Sequence, residues 1–251
     1  MQAPFADPLL QVDIHRKVLP LVDRTTEMQV IRFVLNTVLF DLPTGARALT
    51  ITGEMGVGKS RLLAEMYAEA QVLGFRVLEG RIYAGGNTFP YFPFIEALRP
   101  ILRSSTQEQL RRYMGLATSA SSQLSADVGR RFSSDTQRDD SEDISLVGLP
   151  LLGSLANLFP ELPKMLGITV VPEVLTPDQQ KFRLLDAIAT LLERMALEQP
   201  VLLSIDDLQW ADSASFELML YLSVRLHKSR VALVGACLLY TSDAADDLTR
   251  V

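Results

Sequence analysis

Gly53-Glu54-Met55-Gly56-Val57-Gly58-Lys59-Ser60 follows a short apolar, β-branched run over residues 46–52 and precedes a helical pattern over residues 59–73. That pattern sets Leu62, Leu63, Met66, Tyr67 and Ala70 on one face. The order is strand, glycine loop, helix. The octapeptide fits G-x-x-x-x-G-K-[ST], and each fixed position has a physical reason. Its glycines let backbone N–H groups wrap an anion with no Cβ in the way, and the helix starting near Lys59 adds the positive end of its dipole. Lys59 is expected to set a cation against the β and γ phosphates of a nucleotide, and the Ser60 hydroxyl to be a ligand for Mg²⁺.

Working outward, Met28, Ile31, Val34, Leu35, Val38 and Leu39 recur at three and four spacing, which predicts an amphipathic helix over Thr25–Leu39. After the loop and its helix, Gly74 marks a stop, and residues 75–83 read as a second strand. A crossover of that length predicts parallel pairing with the first strand. Helices are expected over residues 94–102 and over Gln107–Met114, and the serine-rich, charged residues 116–146 are read as a mobile insertion. Residues 146–159 form a mostly apolar core or interface segment. They fall short of a bilayer span and are broken by Gly148, Pro150 and Gly153.

Thr176, Pro177 and Gln179 supply an N-cap, a first-turn proline and a capping-box glutamine for a long helix reaching about Leu197. Pro200 resets the chain. Residues 201–205 then read as a buried strand, 213–227 as a helix and 230–235 as a further apolar strand. The predicted fold is α/β, a three-layer P-loop sandwich: a parallel sheet with helices on both faces, incomplete at the C-terminus.

Asp206 and Asp207 follow the strand at 201–205, so their carboxylates are expected at the sheet edge that carries the glycine loop. Asp206 is placed as the Mg²⁺ carboxylate, since a hard cation takes oxygen ligands and keeps much of its water. Asp207 is placed as the acid that polarises an attacking water, and with Lys59 it forms the expected catalytic set. Asp212 reads as the N-cap of the next helix and Trp210 as packing.

The net charge of −6 provides no global basic field, so direct nucleic-acid binding by this segment is not expected. No basic-then-apolar leader opens the chain, so the cytoplasm is the expected compartment, without a membrane role. One cysteine, Cys237, excludes an internal disulfide framework. From that cysteine the chain reads CLLYTSDAAD, which translates codon for codon from DNA resembling a transposase-end sequencing adapter. Residues 237–251 are therefore read as a non-native tail, 1–20 as an N-terminal extension and 21–236 as the functional domain.

Three blocks carry a family resemblance. The segment from Gly53 to Arg61, residues 80–102 with Phe89-Pro90-Tyr91, and residues 203–213 reading LSIDDLQWADS resemble the AAA-type ATPase module of STAND-class bacterial signalling proteins. Such modules accompany LuxR-type DNA-binding, cyclase or kinase domains. The resemblance implies ATP and Mg²⁺ as ligands, an ATP-dependent regulatory switch with slow hydrolysis, and possible nucleotide-dependent self-association. It implies nucleotide contacts from Gly53, Glu54, Met55, Gly56, Val57, Gly58, Lys59, Ser60 and Arg61. It also implies contacts from Val22 and Arg24, where Leu21-Val22-Asp23-Arg24 aligns with an adenine-side box usually reading Val-Gly-Arg-Glu, with Asp23 in place of glycine and Thr25 in place of glutamate. The family's sensor, final strand, lid and output domains are expected to be missing from this chain. A nucleotide-binding scaffold without turnover, a small-molecule kinase and a replication-initiator or helicase-loader relative stand as alternatives.

Overall fold

The computed structural model describes residues 23–83, 89–116, 149–171 and 173–239. Val22, the extension at 1–20, residues 117–146 of the predicted insertion and residues 240–251 of the predicted tail lie outside the described residues.

Four parallel strands make the sheet, in the order β1-β4-β3-β2: β1 (Ala48–Gly53), β2 (Arg76–Arg81), β3 (Val201–Asp206) and β4 (Val231–Leu238). Parallel pairing is as predicted, but β1 and β2 are not neighbours. They sit at opposite ends of the described sheet with β4 and β3 between them. Alternation along the central strands feeds two separate cores. Val201, Leu203 and Ile205 of β3, with Val231 and Leu233 of β4, join one cluster, while Leu202, Ala232, Val234 and Ala236 join the other. Both faces are therefore covered, which is why these strands read as unbroken apolar runs.

The second face is closed by α1 (Thr25–Leu39) and α2 (Lys59–Val72), through Met28, Ile31, Leu35, Leu62, Leu63 and Met66. Opposite them lie α3 (Phe92–Ser104), α4 (Gln107–Met114), α5 (Leu149–Ala156), α6 (Leu162–Leu166), α7 (Pro177–Glu198) and α8 (Ser213–Arg225). The apolar segment at 146–159 supplies α5 and the buried Leu152, Leu155 and Phe159. Burying each such side chain stabilises by roughly 1.5–3 kcal/mol. Leu116, placed in the predicted insertion, is itself buried in this core.

The predicted capping box at α7 is present, with Thr176 Oγ1 accepting from the Gln179 N–H and the Gln179 side chain accepting from the Thr176 N–H. An equivalent box at Thr106 and Gln109 starts α4. Because the strands are parallel, Gly53, Arg81, Asp206 and Leu238 all end at one edge of the sheet, with Gly53 level with Leu238 and Arg81 level with Asp206. That edge holds the candidate site.

Candidate nucleotide site at the sheet edge

The glycine loop leaves β1 at Gly53 and enters α2 at Lys59. Gly56 and Gly58 have φ of 83° and 92°, and a Cβ added at either would meet nothing within 4 Å. These positions need glycine for backbone conformation, and the space beside them is open to a ligand. Lys59 Nζ donates to the carbonyls of Gly53 and Glu54, each at 2.8 Å, which holds the ammonium over the loop. Met55, Val57 and Ser60 are exposed, and Ser60 lies in the first turn of α2.

Arg61 points along α2. Its Nη2 bonds Glu65 at 3.0 Å, while its Nε is buried with no hydrogen-bond partner.

Arg24 reaches the loop. Its Nη2 donates to the Val57 carbonyl at 2.8 Å and its Nη1 to Glu27 at 2.6 Å, and this cation holds the Glu27 carboxyl below its ordinary range. Asp23, where the resembled box has glycine, adopts φ 57°, the left-handed region that aspartate tolerates better than most residues.

Asp206 closes β3. Strand alternation puts it on the face of Leu202 and Ser204, where Ser204 accepts from Tyr67 of α2 at 2.9 Å. Burial there pushes the Tyr67 hydroxyl up to about 12. Burial, and after it the neighbouring Asp207 charge, also raise the Asp206 carboxyl above its ordinary value, while Arg81 and Lys59 pull it back. The Asp207 N–H donates to Asp206 Oδ1 at 2.9 Å.

Asp207 sits at φ 62° and ψ 40° and opens a 3₁₀ turn, Leu208–Trp210. Its Oδ2 accepts from Arg81 Nε at 3.2 Å and its Oδ1 from Gln209 Nε2 at 2.9 Å. Four lone-pair positions on a carboxylate leave room for a water as well. Asp212 caps α8 as expected, accepting from the Ser215 N–H at 2.9 Å. Trp210 departs from its expected packing role. It remains 47% exposed, while Leu208 of the same turn occupies the space over Gly235.

Arg81 and Gln209 had no predicted role, and the structure gives both contacts to Asp207. Their signal is a basic residue at the end of one strand and an amide two residues after an acid. Neither pattern selects a partner until the sheet order is known. Among the described residues there is no group of three or more His, Cys, Asp or Glu able to hold a metal. A Mg²⁺ site of the type expected here does not require one: a serine hydroxyl and one carboxylate are hard oxygen donors, and phosphates and water complete the shell. The donor set of Ser60 and Asp206 fits that ion, and the open backbone at Gly56 and Gly58 fits a phosphate chain.

The family model for the AAA ATPase domain matches residues 20–234. The chain belongs to the AAA ATPase domain family. The four-stranded parallel sheet with helices on both faces is the P-loop α/β fold predicted above, and nucleotide binding goes with membership of this family. Comparison with curated proteins found no match. Among the described residues no helix is long and apolar enough to cross a membrane.

Proposed function

We propose that this AAA ATPase domain is an ATP-dependent switch in a bacterial signal-transduction or transcription-regulatory protein of the STAND class, acting in the cytoplasm. The observation that carries the reading is the convergence on one sheet edge of an open glycine loop with its lysine and of two adjacent, partly buried acids. In this proposal the N–H groups of residues 53–60 cradle the phosphates, and Lys59 exchanges its two carbonyl partners for phosphate oxygens. Ser60 and Asp206 would hold Mg²⁺, which would supply charge neutralisation for phosphoryl transfer. Asp207 accepts a hydrogen bond from the attacking water and orients it. Arg24, anchored on the Val57 carbonyl, borders the loop on the side where the adenine box aligns.

The nucleotide state would bias contacts with a lid, sensor and output domain beyond this chain, or with further copies of the domain. In this reading the ATPase unit spans residues 21–236, and the residues from 237 are a non-native tail. Strand β4 runs to Leu238, and it does so through backbone pairing that makes no demand on side-chain identity. Phosphate release from the full-length protein and its Asp207→Asn form, with ATP binding measured in parallel, tests the switch. Turnover that falls sharply while binding persists supports it. Equal, negligible release from both forms favours a scaffold that binds nucleotide without hydrolysis.

A further inference from the structure

The turn that carries Asp207 is pinned to β4 at two points. Leu208 lies over Gly235, where an added Cβ would come within 2.4 Å of Leu208 Cδ1, so the glycine leaves the space that the leucine fills. Gln209 makes the second attachment. Its Oε1 accepts from the Leu238 backbone N–H at 2.9 Å while its Nε2 donates to Asp207 Oδ1 at 2.9 Å. Only one orientation of the amide satisfies both partners, one being a donor and the other an acceptor. The strand end it holds also borders the loop: the Leu239 N–H donates to the Gly53 carbonyl at 3.1 Å, and the same carbonyl accepts from Lys59. At residue 238 the partner is backbone, which every residue except proline supplies.

Building on the ATPase reading above, we propose that Gln209 is a positioning residue for hydrolysis, clamping Asp207 Oδ1 to the end of β4 while Arg81 bonds Oδ2, so that the remaining lone pair of Oδ2 faces the attacking water. With Arg81 on one oxygen and Gln209 on the other, the carboxylate has lost its rotation, and Gln209 is the contact that ties it to β4. Misplacing a catalytic group by about 1 Å can cost on the order of a hundredfold in rate. Gln209 reaches the glycine loop only through the backbone of residues 238 and 239, which β1 also pairs, so its removal is expected to act on the rate more than on nucleotide affinity.

Two substitutions separate the two ends of the amide. Gln209→Glu keeps an acceptor for the Leu238 N–H but cannot donate to Asp207 when ionised, whereas Gln209→Ala removes both bonds. In the full-length protein, kcat, KM for ATP and direct ATP binding are measured for the parent and both variants. Both are expected to lose kcat by about tenfold or more. Their ATP affinity should stay within about threefold of the parent, and Gln209→Glu should lose at least as much rate as Gln209→Ala. Parental kcat in Gln209→Glu would overturn the proposal and leave the ATPase reading standing. Affinity falling in step with kcat would also overturn it, as the mark of a purely structural role. A parent that binds ATP without turnover would overturn the ATPase reading and the proposal together.

Discussion

Gly80→Ala tests how tightly the elements behind the site are fitted. Gly80 lies on β2, one residue before Arg81, and a Cβ built there would stand 2.1 Å from the Pro93 carbonyl oxygen and 2.9 Å from Ile205 Cδ1. A comfortable C···O approach is roughly 3.3 Å, so strand and helix would have to separate by about 1 Å. The strand cannot retreat cheaply, because Gly80 is paired with Ile205 of β3. Nor can the obstacle rotate away, since it is backbone at the start of α3. Overpacking of this kind costs about 1–3 kcal/mol, and a backbone clash with no escape puts this site at the upper end, about 3 kcal/mol. For a chain of this size that corresponds to a fall in Tm of about 6–12 °C.

Gly153→Ala is the internal control. That glycine lies inside α5, where an added Cβ meets Val170 at 3.4 Å, an ordinary contact, and alanine is the better helix former by up to about 1 kcal/mol. Thermal and urea unfolding of both variants against the parent is the assay. A Gly80→Ala loss below about 1 kcal/mol, or no larger than that of Gly153→Ala, would refute the packing described for β2 and α3.

Asp206→Asn should raise the stability of the nucleotide-free protein while weakening Mg²⁺-dependent ATP binding. The Asp206 carboxyl is raised in the folded state by burial and by Asp207, so its stabilising contribution is complete at low pH and is lost as pH rises through the folded value. At neutral pH the ionised group is a cost that the neutral amide removes, and denaturation at pH 7 and at about pH 4 should show the variant's advantage shrinking as the pH falls. Thr176→Ala removes the side-chain half of the capping box on α7 and should cost about 1 kcal/mol in urea unfolding, with ATP binding unchanged.

Much of this fold is legible in local pattern. The boundaries of α1 and α4 coincide with the apolar periodicity and the predicted span, and the α7 start follows from Thr176, Pro177 and Gln179. Strand ends are less legible because pairing, not composition, decides them. Residues 46 and 47 read as strand, yet the strand starts at Ala48, and Arg47 is buried with its guanidinium on Asp41, the Leu42 carbonyl and the Ser229 carbonyl. The order of the strands is not encoded locally at all. Placing β4 and β3 between β1 and β2 is what brings Arg81 to Asp207, and the turn folded over β4 is what brings Gln209 to Leu238. The positions of the short motifs were therefore visible in the chain, while contacts made across strands were not. The chemical roles proposed for these residues are tested by nucleotide binding and turnover.

The most direct of these is equilibrium titration of the protein with ATP, with and without Mg²⁺, beside Lys59→Ala. The account predicts saturable, Mg²⁺-strengthened binding by the parent, and affinity at least about tenfold weaker in the variant, the expected loss for one charge-assisted contact to phosphate. A parent that does not bind ATP, or a Lys59→Ala variant that binds it as tightly as the parent, would contradict the account.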